Sequence, residues 1–354
     1  MLLGRVPDPR DRRGVRHALP VLLAVGLAAV LGGARSFVAI GEWVAEASAE
    51  MLGELGASRS ARPSESAIRR AFTRVDADVL DAVIGAFCWT RTQVVGARRV
   101  IALDGKTVRG ARTPTRAAPH LIAAFDHTAG TVLGQVATAA KSNEIPAVRE
   151  LLGLFDLQDV VVTVDAMHTQ HDTAELIVTA GGDYVFTVKS NQPRLYAACK
   201  NLPWAKVHSH TALSTGHGRR ARRTIKVLTA PAWITFAHAT QIAPIRRTLT
   251  RAGRTSVEIV YIITSADHRV APPATLASWV QCHWGIENSL HWVRDVTFDE
   301  DRSQIRTGNA PRVMATLRST AISLLRLAGW TTIAAALRHH ASNPRRAITL
   351  LLTC

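Results

Sequence analysis

Asp159-Val160-Val161-Val162-Thr163-Val164-Asp165 is the stretch that decides how this 354-residue chain is read. An uncharged, valine-rich run of this length is a strand covered on both faces, since a half-exposed strand would alternate apolar and polar residues. It stops at an acid. An earlier run, Val100-Ile101-Ala102-Leu103, also stops at an acid, in Asp104-Gly105. Between the two, His120 to Phe125 and Thr131 to Ala137 read as strands joined by the turn Asp126-His127-Thr128-Ala129-Gly130. Ser142-Asn143-Glu144-Ile145-Pro146 then opens a capped helix running through Leu154. A helix over Thr173 to Thr179 and a strand over Tyr184 to Val188 follow Asp165. The order is β-β-β-α-β-α-β, with an aspartate after the first and fourth strands. In a ribonuclease-H-like sheet those two strands are neighbours, so Asp104 and Asp165 converge at one edge, where open α/β sheets place their chemistry.

Outward from this unit the text changes character twice. Residues 1–95 read as helices only, with Ser64 as an N-cap before Ile68, Phe72 and Val75 at helical spacing. Arg69, Arg70 and Arg74 ride on that helix and face either phosphates or plain solvent. The uncharged run Ala18 to Ala34 follows four arginines, as a signal or membrane anchor would, but it is short and rich in Ala and Gly. It reads as a buried helix continuing into an amphipathic one with Phe37, Ile40 and Val44 on one face. Between Leu195 and Pro273, alternating stretches at Thr224–Leu228 and Ser256–Ile263 indicate a mainly β insertion. A long helix from Thr275 to Val296 resumes the first pattern, and helices over Asn309 to Leu327 and Thr331 to His340 end it.

Composition narrows the partners. Against 27 Asp and Glu stand 43 Lys and Arg, a net charge of +16 that points to a polyanion. Basic stretches lie at Arg219–Lys226 and Arg246–Arg254, with Trp204, Trp233, Trp279, Trp284 and Trp292 as possible stacking surfaces. Four scattered cysteines without a CxxC pair argue against a disulfide framework or a zinc knuckle, and for a reducing compartment.

On the long helix, His283, Glu287, His291 and Arg294 recur on one helical face, which makes Glu287 the third candidate acid. Three converging carboxylates would hold Mg²⁺ or Mn²⁺ through oxygen, and two such ions can activate a water or a 3′-hydroxyl at a phosphodiester. The plainer alternative is that each aspartate is a turn former or helix cap. His168, His283 and His291 then stand beside the site rather than in a zinc centre. Lys106 and Lys189 follow strands on the same edge and meet either phosphate or solvent. Asp295, Asp299, Glu300 and Asp301 are rival third ligands, set aside because they resemble a helix-terminal loop.

Ile101-Ala102-Leu103-Asp104-Gly105-Lys106-Thr107-Val108-Arg109-Gly110 resembles the first catalytic block of DDE insertion-sequence transposases of the H-repeat-associated branch. Lys141-Ser142-Asn143-Glu144-Ile145, Thr163 to Gln170, Asp183 to Gln192 and His283 to Phe298 match further blocks in order. The resemblance implies an α/β fold in which a ribonuclease-H-like catalytic domain carries a β-rich insertion and is flanked by helices. Its parts would be a helical DNA-binding region over 1–95, the first catalytic part over 96–194, the insertion over 195–272 and a helical end over 273–354. It implies that Asp104, Asp165 and Glu287 are the metal-binding triad and that Arg294 contacts DNA phosphate. The implied reaction is Mg²⁺-dependent cleavage at inverted repeats, then strand transfer into target DNA by a homo-oligomer, in the cytoplasm on the nucleoid. Departures stand at Gln281-Cys282 (usually Arg-Gly), Ala221 (usually Glu) and Ser319 (commonly Asn). They leave open an inactive DNA-binding remnant, and a nuclease without strand transfer would share the same triad.

Overall fold

The computed structural model describes residues 2–13, 15–58, 61–92, 98–138, 144–216 and 218–354. They form two compact units. One holds Met1–Val95, Gly105–Ala147 and Gly285–Cys354; the other holds Gly96–Asp104 and Val148–Trp284. The chain passes from the second unit to the first inside strand β1 (Arg99–Thr107), between Asp104 and Gly105.

The first unit is built on α1 (Leu19–Leu31), α2 (Phe37–Glu46), α3 (Ala49–Glu54), α4 (Glu65–Arg74) and α5 (Ala77–Arg91). Ser36, Ser48, Ser64 and Asp76 each cap the helix that follows, satisfying amides that have no partner inside the helix. The Ala18–Ala34 run is the buried helix expected: apart from Pro20, every residue of α1 is buried. Among the described residues no helix is long and apolar enough to cross a membrane. β2 (His120–Asp126) and β3 (Val132–Thr138) pair antiparallel, in the order β3-β2-β1. Asp126 Oδ1 accepts from the amides of Thr128 and Ala129, and Gly130 closes the turn at φ +66°. α5 crosses β3 closely, because a Cβ at Gly85 would meet the Leu133 carbonyl at 2.4 Å.

α6 (Glu144–Leu152) begins where the capped start was expected, but Ser142 and Asn143 lie outside the described residues, as does His217. α10 (Ala310–Leu327) and α11 (Ile333–Ala341) match the expected C-terminal helices, and a further helix, α12 (Pro344–Thr353), was not anticipated. Its Asn343 cap and Pro344 were the available signal.

In the second unit β4 (Val160–Val164) pairs parallel with β1, and β5 (Asp183–Val188) parallel with β4. α7 (His171–Thr179) joins them. The segment read as an insertion begins with a helix, α8 (Pro193–Lys200), and then supplies β6 (Ser209–Gly216), β7 (Arg219–Lys226), the short β8 (Leu228–Thr229), β9 (Gln241–Arg251) and β10 (Arg254–Thr264). These strands do not form a separate body. β10 pairs antiparallel with β5, so the order continues β1-β4-β5-β10-β9-β7-β6. Tyr261 to Thr264 covers the edge of β5 that would otherwise leave unpaired amides. Ile225, Ile245 and Ile262 pack there with Leu276 and Val280 of α9 (Pro273–His283). The fold is α/β, a large mixed sheet with flanking helices, and the β3-β2-β1 and β1-β4-β5 orders are those of a ribonuclease-H-like sheet.

Candidate active site

Asp104 and Asp165 are placed by register. Leu103 lies opposite Val164 on the parallel pair β1 and β4, so the two aspartates follow one aligned pair of residues. Only β4 ends at its acid. β1 continues through Asp104 to Thr107, because its last residues serve β2 as well: Thr107 Oγ1 lies 2.8 Å from His120 Nδ1. Asp104 is half-buried and Asp165 exposed.

Asp165 starts the short 3₁₀ turn Ala166–His168 without capping it through its side chain. Lys189, just past β5, donates to Asp165 Oδ1 at 3.0 Å. Partial burial pushes the Asp165 carboxyl up, but the Ala166 amide and the Lys189 ammonium outweigh it and hold the group below its ordinary value. His168 is buried at the end of the same turn.

His283, the last residue of α9, is tied to β4. Its Nδ1 lies 2.9 Å from Thr163 Oγ1, and that hydroxyl is within donating distance, 3.2 Å, of the Ile101 carbonyl. With the hydroxyl proton so engaged, Nδ1 is the donor and Nε2 keeps its lone pair in the neutral ring. Burial holds the imidazole below its ordinary value, against the opposing pull of Asp104 and Asp165. Thr163 escaped the sequence reading because it looks like one more β-branched core residue.

Glu287 belongs to the other unit and is exposed. The long helix expected from Thr275 to Val296 starts at Pro273, turns at Trp284 and continues as two π-helical stretches, Glu287–His291 and Val293–Thr297. A π stretch holds more residues per turn than an α-helix, so positions seven apart no longer stack. That corrects the shared face. His291 is half-buried, while Arg294 is wholly buried. Arg294 therefore does not reach a DNA phosphate. Its Nη2 donates to Glu300 Oε1 at 2.7 Å, and Arg318 Nη1 to Glu300 Oε2 at 3.0 Å.

Glu300 is thus the anchor of two buried guanidinium groups and not a rival metal ligand. Burial pushes its carboxyl up, and Arg294 and Arg318 more than reverse this, to about 2. Lys106 is likewise turned inward, only 8% exposed, bound to Asp295 with Asp301 at 3.9 Å. It is not offered to a ligand. Arg69 and Arg70 are exposed on α4; Arg69 pairs with Glu65 and lies 5.4 Å over the Phe37 ring.

The site's donors in the second unit are hard carboxylate oxygens beside an ammonium and a neutral imidazole, a set that suits Mg²⁺ or Mn²⁺ better than zinc. Among the described residues no group of three or more His, Cys, Asp or Glu is assembled to hold a metal ion. A further buried pair was missed. His120 Nε2 lies 3.0 Å from Glu144 Oε1, and a Cβ at Gly105 would meet that nitrogen at 2.4 Å. The glycine between Asp104 and Lys106 is required by this close approach.

Comparisons with known proteins agree with this architecture. A family model described as "Transposase DDE domain" matches residues 96–324, and one described as "DDE_Tnp_1-associated" matches residues 1–88. "Putative transposase YncI" of Escherichia coli O157:H7 is 32% identical over 337 residues, 91% of this chain and 85% of its own. "H repeat-associated putative transposase YhhI" of Escherichia coli strain K12 is 33% identical over 339 residues, 90% of this chain and 88% of its own. The chain belongs to the DDE transposase family, among the H repeat-associated transposases.

Proposed function

We propose that this transposase cuts DNA at the ends of an insertion sequence and joins the freed 3′ ends to target DNA, with Asp104, Asp165 and Glu287 as its metal ligands. The observation that carries the reading is the registered placement of Asp104 and Asp165 on adjacent parallel strands, with Lys189 on Asp165. Bound Mg²⁺ or Mn²⁺ would supply Lewis acidity at the scissile phosphodiester and lower the pKa of an attacking water or hydroxyl. The side chains of the chain have separable tasks. Lys189 keeps Asp165 ionised and aimed, and is itself exposed enough to meet a phosphate. Thr163 fixes the tautomer of His283, whose free Nε2 accepts a proton without adding positive charge to the site. Arg69 and Arg70 on α4 offer exposed cations to DNA. Two ends brought together call for at least two protomers.

The test is Mg²⁺-dependent cleavage and strand joining on DNA carrying the inverted repeats that flank the gene. Loss of several kcal/mol of transition-state stabilisation in Asp165→Asn predicts a rate drop on the order of 10³. DNA binding is expected to persist in that variant. Cleavage without joining would favour a nuclease, a reading that shares these residues. Binding without any chemistry in the wild type would favour a remnant, and Gln281→Arg would then be the first reversion to make.

A further inference from the structure

Between Tyr184 and Ala266 the chain carries thirteen lysines and arginines and one acid, Glu258, so this segment holds +12 of the whole chain's +16. Sheet register decides where that charge points. Residues directly opposed across antiparallel strands share a face. Arg219, Arg251 and Arg254 form one row across β7, β9 and β10; Arg223, Arg247 and Glu258 form another on the same face. The face is identifiable nearer the core, where it carries Ile225, Ile245 and Ile262 against Leu276 and Val280 of α9. Further out no helix covers it: β6 is exposed along its length, and β10 is exposed from Arg254 to Ile259.

Like charges placed opposite one another destabilise a sheet. Here the compensation is slight, since Glu258 reaches only Arg247, at 3.8 Å. Burial, then the charges of Arg247 and Arg219, hold the Arg223 guanidinium below its ordinary value. A row of mutually repelling arginines gains most from a regularly charged polyanion. The face also begins near the carboxylates. Arg247 lies 5.0 Å from the ring centroid of Trp284, and the neighbouring His283 is bonded to Thr163 beside Asp165.

We propose that Arg219, Arg223, Arg247, Arg251 and Arg254 form a sequence-independent seat for the phosphate backbone of duplex DNA flanking the carboxylate site. The inference rests on the transposase reading for the identity of the polyanion. The sheet cannot lie flat in a groove and read bases: four strands separate the outer two by about 14 Å, wider than the major groove at about 12 Å. It must rest on the backbone, which carries no sequence information. From Ile245 to Arg251 the face runs about 20 Å, the length of about six base pairs.

Two triple variants remove equal charge from opposite faces of the same arm. Arg219→Ser/Arg251→Ser/Arg254→Ser strips the proposed seat; Arg220→Ser/Arg222→Ser/Arg246→Ser strips the other side, where all three residues are exposed. Binding to a 30-base-pair duplex of unrelated sequence is measured without divalent metal across a salt series. The first variant should lower the slope of log K against log salt by about 2.7, three contacts at about 0.9 each, and the second by less than one. A third variant with lysine at 219, 251 and 254 should keep the wild-type slope, and its folding is checked by its thermal midpoint.

Equal losses in both triples overturn the face assignment, and an unchanged slope in the first overturns the seat. A changed oligomeric state with unchanged DNA affinity would make the arm a self-association surface and also overturns it. Cleavage assayed in parallel keeps the readings apart: wild type that binds through the arm but never cuts defeats the transposase reading and leaves the seat standing.

Discussion

Glu300 sits without exposure between the guanidinium groups of Arg294 and Arg318. Removing its charge leaves two buried cations unpaired, and Glu300→Gln should cost about 3–5 kcal/mol in denaturant unfolding. A variant within 1 kcal/mol of wild type would refute the pairing. Its carboxyl is depressed from an ordinary 4.5 to about 2, so its stabilisation is complete above pH 4.5 and is lost as pH falls towards 2. Asp81 behaves oppositely. Burial raises it to about 7 despite bonds from Thr316 and Gln135 and the nearby charge of Arg312. The folded state keeps that proton after the unfolded chain has released its own, so this contribution is present below pH 4 and drains away between pH 4 and 7. Asp81→Asn should flatten that part of the stability profile and be the more stable form at pH 8. A profile unchanged by the substitution would show that the Asp81 environment has been misread.

Elements position these residues, and the tightest constraint is at β1. Gly105 lies where a side chain would strike His120 and Glu144, with Glu144 Oε2 at 2.9 Å from the added carbon. Gly105→Ala should therefore separate the His120–Glu144 pair and destabilise by roughly 1–3 kcal/mol, the cost of a buried polar group left without its partner. It should also lower cleavage more than stability alone explains, because the next residue back is Asp104. The check is activity at a temperature where variant and wild type are both fully folded. Full activity there would show that β1 tolerates the shift. The π-helical stretches after Trp284 are a second constraint, exposing Glu287 while burying Leu290, Val293 and Arg294. Such turns often mark functional sites. Deleting a single residue between Asn288 and Trp292 would restore α periodicity and should abolish activity.

At the scale of the whole molecule, charge outweighs the other effects. A net +16 with most of it in one sheet segment opposes compaction, so the protein should gain stability from anything that screens or binds that charge. Raising NaCl from 0.05 to 0.5 M, or adding duplex DNA at low salt, should each raise the thermal midpoint by several degrees. The triple variant at 219, 251 and 254 should begin higher at low salt and respond less. An insensitive midpoint would mean the arginine rows are already neutralised. Much of this was legible beforehand because it rests on local chemistry. The valine-rich strand ending in Asp165, the turn at Asp126 to Gly130 and the Ser64 cap depend on neighbours in sequence, so periodicity and composition reported them faithfully. The pairing of β1 with β4 was legible too, since the element order leaves few arrangements.

What depended on partners far along the chain was decided by the tertiary structure alone. Arg294 and Lys106 looked like ligand-facing cations, and only packing revealed Glu300 and Asp295 as the acids that hold them. The supposed insertion became an extension of the sheet because β5 had an edge to fill, a demand that alternation within β10 cannot express. Likewise the arginines of 219–254 were visible as a basic stretch, but register divided them into two faces. The sequence alone determined the elements, the candidate acids and the excess of positive charge, which follow from short-range chemistry. The tertiary structure decided which charges are neutralised and which face outward, because that depends on contacts between residues up to 189 positions apart, as in Lys106 and Asp295.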